Sequence, residues 1–297
     1  MDPAWEFAVA PPGLAPGVDS VVGYRAYAPP PLHRGRPSSR LTFIVSLDEG
    51  VRVADDPAGL PAAAPLPVLL GGLHQRATYV GQGAGQAGVQ LAVHPLAARA
   101  LFGVPAGELL QAGYDGTPLL GRTARSLPER LAEAPGWAAA FGVVADLLAG
   151  RASDARGRLR PDLSRAWHLL EASRGQARID RVAADVGLST RHLGALFRRE
   201  LGRSPKEVAG LMRFEHAMAR IEAGVRHHGR PDLARTAAVA GYADQAHLTR
   251  DVTHRLGLSP TAWVAAELRN VQDRPVDDLR PWSHDDEPLP LPDPARR

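Results

Sequence analysis

The 297-residue chain contains no cysteine. That absence removes disulfide frameworks, thiolate zinc sites, iron–sulfur clusters and every mechanism that needs a cysteine nucleophile. It is compatible with a reducing compartment. Lysine is nearly absent as well: Lys206 is the single one, so almost all positive charge is arginine. No stretch reads as a membrane span. The charge-free segment 57–75 contains Pro57, Pro61, Pro65 and Pro67, which no continuous helix across a bilayer would carry. The opening Met1-Asp2-Pro3-Ala4-Trp5-Glu6 has acid where a secretory signal needs base. The expectation is a cytoplasmic protein with no membrane partner.

What is present is enough for ordinary folding. Hydrophobic residues make up 44% and charged residues 23%, and the length suggests two domains, each able to bury a core. The 30 glycines and 27 prolines require at least one turn-rich region. Charge is distributed unevenly. Residues 1–150 carry 10 basic against 12 acidic residues, 151–270 carry 21 against 13, and 271–297 carry 4 against 7. All the excess base lies in one block, an electrostatic footprint for a polyanion.

The first part reads as short strands between turns: Leu41 to Leu47, Val51 to Val53, Pro67 to Leu70, Ala77 to Val80, and the alternating run Val89 to His94. From Pro95 the period becomes helical. A small, polar stretch, 150–157, reads as a linker. After Pro161 the pattern is helical with short connections, and a long helix is expected over 205–223, with Val208, Leu211, Phe214, Met218 and Ile221 every three or four residues.

This second half repeats itself. Ala183-x-x-x-Gly187 recurs as Ala237-x-x-x-Gly241, 54 residues later; His192-Leu193 recurs as His247-Leu248 and Ser204-Pro205 as Ser259-Pro260, both 55 later. Alanine suits a close helix crossing, glycine a turn with positive φ, and proline a new helix start. Each copy therefore reads as a helix-turn-helix. On the second helix of the first copy the residues away from the apolar stripe are Thr190, Arg191, Gly194, Ala195 and Arg198. On that of the second copy they are Gln245, Ala246, Thr249, Arg250 and Thr253. Arginine, glutamine and threonine among small residues can enter a major groove and reach base edges. The base-reading set is thus Thr190, Arg191, Gly194, Ala195, Gln245, Ala246, Thr249 and Arg250. The phosphate set is Ser189, Arg198, Arg199, Asp244 and Thr253, and the structural set Ala183, Gly187, Ala237, Gly241, Pro205 and Pro260.

Residues 164–268 resemble the AraC family of bacterial transcription regulators. The resemblance rests on residues 179–208, on Ala240-Gly241-Tyr242-Ala243-Asp244-Gln245-Ala246-His247-Leu248-Thr249-Arg250 and on Gly257-Leu258-Ser259-Pro260. It implies two helix-turn-helix units flanking a long linker helix, with both second helices in DNA. The family usually has phenylalanines where this chain has Leu248 and Val252 and a lysine where it has Thr253; Asp251 stands where the first copy has Leu196. Pro37-Ser38-Ser39-Arg40-Leu41-Thr42-Phe43-Ile44 and Leu101-Phe102-Gly103-Val104-Pro105 are similar to the sensor half of an actinobacterial branch. That likeness implies a cupin-like β-barrel followed by helices.

The expected fold class is therefore α+β. It comprises a β-rich regulatory domain over 1–125, a helical connector over 126–158, an all-α DNA-binding domain over 159–269 and a disordered Pro- and acid-rich tail over 270–297. Double-stranded DNA is the expected partner. The resemblance adds RNA polymerase, a small-molecule effector and a homodimer through the N-terminal half.

A second class, a metal-dependent cupin-type enzyme with an accessory DNA-binding domain, would need a ligand triad. His33, His74 and His94 lack the His-x-His pair and following glutamate of a metal cupin, so no metal, cofactor or catalytic residue is expected. A DNA alkyl-transferase would need a cysteine. Gly81-Gln82-Gly83-Ala84-Gly85 lacks the Lys-Ser/Thr ending of a phosphate loop and reads as a hairpin turn. Arg34, Arg36 and Arg40 read as a solvated strand edge, with contact to an acidic effector as the alternative. His227 and His228 read as a solvated loop after the linker helix.

Overall fold

The structure, a computed structural model, describes residues 5–27, 29, 32–109, 113–121, 125–154 and 160–267. The expected tail over 270–297 and the segment 155–157 of the expected linker lie outside the described residues. The fold is α+β, with a sheet domain followed by helices. The strands are β1 Trp5–Val9, β2 Val18–Ala26, β3 Leu32–Gly35, β4 Leu41–Ser46, β5 Arg52–Ala54, β6 Val68–Gly71, β7 Thr78–Gly81, β8 Ala87–Val93 and β9 Tyr114–Asp115. They form a larger antiparallel sheet, β1-β2-β8-β4-β6-β9, and a smaller one, β3-β7-β5.

Alternation along the strands decides what each face meets. Leu41, Phe43 and Val45 of β4 and Val89, Leu91 and Val93 of β8 pack outward into the main core. Ile44 and Leu69, one residue out of step, turn inward and pack near Val53 and Val80 of the smaller sheet. The expected hairpin at Gly81–Gly85 is corrected here. β7 pairs with β3 and β5, whereas β8 pairs with β2 and β4, so that turn carries the chain from one sheet to the other.

Helices α1 Ala98–Phe102, α2 Thr117–Leu120, α3 Leu127–Ala132 and α4 Trp137–Asp154 follow. Trp137 seats its ring on Gly23 of β2, where any Cβ would lie 2.2 Å from the indole. The expected linker at 150–154 is helix instead. Arg151 there donates to the Leu101 and Leu119 carbonyls at the ends of α1 and α2, which holds the last turn of α4 in place.

The C-terminal helices are α5 Pro161–Ala172, α6 Ile179–Asp185, α7 Thr190–Leu201, α8 Pro205–His228, α9 Leu233–Val239, α10 Gln245–Leu256 and α11 Pro260–Glu267. α8 opens with a capping box in which the Ser204 hydroxyl accepts from Glu207 N and the Glu207 carboxylate accepts from Ser204 N. Such a cap is worth about 1 kcal/mol. The helix continues five residues beyond the expected end and stops at Gly229, φ +72. His227 and His228 are therefore exposed on its last turn, not in a loop. The Arg226 guanidinium on the same turn faces the carbonyl end of the helix dipole.

Candidate DNA-binding interface

Each unit is built from the same local parts. In the first, Ala183 is buried under α7 and Gly187 takes φ +70, so that Leu188 N reaches Ala183 O at 2.9 Å. In the second, Ala237 is buried, Gly241 takes φ +75 and Tyr242 N reaches Ala237 O at 2.9 Å. A side chain with a Cβ is disfavoured at either φ. Ser189 then caps α7 by accepting from His192 N at 3.2 Å, and Asp244 caps α10 by accepting from His247 N at 2.7 Å. Gly202 and Gly257 end the two helices in left-handed conformations. Pro205 and Pro260 start the next.

The outward faces carry most of the expected residues. Ser189, Thr190, Arg191, Ala195, Arg198 and Arg199 are exposed on or beside α7; Asp244, Gln245, Ala246, Arg250 and Thr253 are exposed on or beside α10. Thr249 is half-buried. Gly194 departs from the outward position expected of it. It is buried, because the Arg198 guanidinium lies 3.4 Å from where a Cβ would stand. Asp244 is occupied by its cap, and its negative charge suits a helix start rather than a phosphate.

Both faces hold arginine at different heights. Repeat alignment sets Arg191 opposite Ala246 and Ala195 opposite Arg250. Arg250 lies back along its helix, its Nε donating to Ala246 O at 3.3 Å. Two further arginines were missed by reading only the second helices. Arg181 on α6 and Arg235 on α9 stand 54 residues apart, each two before the packing alanine and each exposed. The repeat offset was the signal that could have found them.

Asp251, the departure from the first copy, has partners. It accepts from the Tyr242 hydroxyl at 2.7 Å and from Arg255 Nε at 3.1 Å. Burial and the Asp251 charge push the Tyr242 phenol well above its ordinary value. Arg255 is buried and reaches Gln75 Oε1 of the sheet domain at 3.0 Å.

The arginines expected at a solvated edge are also committed. Arg36 pairs with Glu222 on α8 and stacks over Trp263 on α11. Arg40 pairs with Asp19 and with Glu171 on α5 and lies over Trp167. The helical half supplies Glu222 and Glu171 as partners and Trp263 and Trp167 as cover, which a reading of the strand alone does not see. Arg34 lies over Tyr79. His33 and His74 line a cavity of about 220 Å³ between the two sheets and helices α8 and α11. His94 is buried with its ring edge to Trp167.

Two units with capped, open-faced second helices on one linker define a helix-turn-helix DNA-binding protein. Comparison makes this specific. A family model described as a helix-turn-helix domain matches residues 182–266. These residues are a DNA-binding domain of the AraC type, the kind used in transcription regulation. No curated protein sequence matches the chain. Among solved structures, ToxT from Vibrio cholerae is 9% identical, with 89% of this chain and 98% of that one covered and a TM-score of 0.48. ToxT from strain SCE256 bound to an unsaturated fatty acid is 10% identical over 88% and 94%, TM-score 0.46. The C-terminal domain of AraT, a response regulator from Geobacillus stearothermophilus, is 20% identical over 43% and 98%, TM-score 0.32. The class rests on the family match and the two-unit geometry, not on these likenesses, whose TM-scores lie below 0.5.

Proposed function

We propose that the chain is a sequence-specific transcription regulator whose two recognition helices, α7 and α10, read successive major-groove segments on one face of DNA. The observation that carries this reading is the matched pair of open, capped helix faces on a single helix of 24 residues. At 1.5 Å per residue that helix spans about 36 Å, close to the roughly 34 Å between successive groove faces. Arg191 and Arg250 suit guanine and Gln245 suits adenine, with Thr190, Ala195, Ala246 and Thr249 lining the base edges. Ser189, Arg198, Arg199 and Thr253 meet phosphates, as do Arg181 and Arg235; Asp244 positions the first turn of α10, and Gly194 leaves room for Arg198.

The DNA-binding domain is assigned to 159–269, the connector to 126–158 and the regulatory domain to 1–125. The cavity beside α8 is assigned to an effector, because its wall is shared by both halves. Hydroxyl-radical footprinting of the chain on a site selected from random DNA tests the reading. Two protected groove segments about one helical turn apart are expected. Protection of one segment would mean that the second unit stays out of the groove.

A further inference from the structure

The two units are attached to the sheet domain in different ways. The first unit shares the sheet domain's own core. Leu193, Phe197 and Leu201 of α7 and Trp167 of α5 belong to one continuous buried cluster with Phe43, Leu91 and Phe102. Gly107 lies directly against the backbone of Gly202 at the end of α7, where a Cβ would come within 2.8 Å. The second unit has a separate core, formed by Leu248, Val252, Leu256 and Trp263 with Phe214 and Met218 of α8; among the described residues, Ala77 is the one sheet-domain residue in its buried set. The linker helix is divided between them, with Met212 in the first core and Phe214 in the second.

What holds the second unit to the sheet domain is mostly polar. Arg36 pairs with Glu222 and stacks on Trp263. Gln75 accepts from Arg255, and Ala77 N donates to Arg255 O at 2.7 Å. Beside this bridge lies the cavity, whose helical wall includes Phe214, Met218, Glu222 and Trp263, all on α8 or α11. Polar bridges with little shared apolar surface open at lower free energy than a common core.

We propose that the second helix-turn-helix unit is the regulated half: it docks on the sheet domain through a releasable polar bridge at the cavity mouth, while the first unit moves with the sheet domain as one body. A molecule in the cavity then changes the DNA contacts of α10 and leaves those of α7 in place. This last step rests on the reading of the cavity as an effector site; the difference in attachment does not.

Amide hydrogen exchange on the full chain separates the two. Native exchange over 233–267 is expected to open at lower denaturant than exchange over 179–201, which should open together with β4 and β8. Arg36→Ala should speed exchange over 233–267 by about tenfold and leave 179–201 nearly unchanged. Glu222→Gln, which keeps the shape of the buried side chain, should do the same more weakly. Equal acceleration in both units, or opening of 179–201 before 233–267, overturns the inference whatever the chain does on DNA. Footprints of the same variants then test the functional step. Loss of one groove segment with the other retained supports it. Loss of both together overturns that step even where the exchange result stands.

Discussion

At the scale of single residues, the buried histidine His94 sets a pH dependence. Burial first, and Arg40 second, lower its pKa from the ordinary 6.5 to about 3. Its Nδ1 accepts from Leu96 N at 3.2 Å, so the neutral ring is the form the fold holds. The unfolded chain takes up a proton near pH 6.5 and the folded chain only near 3. Stability is therefore full above pH 6.5 and falls as pH drops through that window, by about 2 kcal/mol from this group between pH 7 and 5. His94→Asn can keep the bond to Leu96 N without titrating. Urea melts at pH 7 and 5 should show a smaller fall for the variant; an unchanged fall would place the proton elsewhere. Arg250 makes the residue-scale prediction for DNA. Arg250→Ala should cost about 1–3 kcal/mol and relax preference at one base pair, read by site selection on random DNA. Unchanged preference would remove Arg250 from the readout. The sequence made Arg250 visible because a solvated face needs no tertiary context. It hid Arg36 and Arg40, whose helical partners Glu222 and Glu171 lie more than a hundred residues away.

At the scale of elements, periodicity located what is locally determined. β4 was legible as a run of β-branched and aromatic residues closed by Asp48-Glu49-Gly50. β8 was legible because Val89, Leu91 and Val93 alternate with less apolar neighbours, and the two glycine turns because positive φ leaves a sequence mark. β1 and β2 were not. β1 is an edge strand with Phe7 and Val9 exposed, and β2 carries Gly23 in its middle because Trp137 needs the space. Neither pattern looks like a strand until its partner is present. The linker helix was legible except at its end, where Gly224, Val225, Arg226, His227 and His228 continue it to Gly229. Its two halves serve two cores, so its straightness matters more than its composition. Arg213 is half-buried at the border, whereas Met212 is packed in the first core. Arg213→Pro removes a helix hydrogen bond and adds a clash, costing about 3 kcal/mol or more. Two-segment footprints should vanish while circular dichroism still reports the sheet domain. Retained two-segment protection would mean that the linker does not set the spacing.

At the scale of the whole molecule, the shift of charge at about residue 150 suggested two independent halves, and the packing argues for something less divided. Trp167 is fully buried, yet His94 and Arg40 of the sheet domain cover its ring. The Arg99–Glu200 pair and the bond from Arg203 Nε to Leu73 O at 2.8 Å fasten the same side. Composition could not show this, since an apolar residue looks the same whether its cover comes from its own domain or another. A fragment of residues 158–270 keeps both readout faces and nearly all of the excess base. It should bind DNA, with affinity falling steeply as salt rises because phosphate contacts release counterions. It should also be less stable than the full chain. Uncovering Trp167 alone forfeits about 1.5–3 kcal/mol of burial, and the first unit should lose more stability than the second, whose core is its own. Exchange over 179–201 and 233–267 in the fragment measures this directly. If the first unit is as protected in the fragment as in the full chain, the shared core contributes nothing to its stability, and the two halves are as separable as their charge suggests.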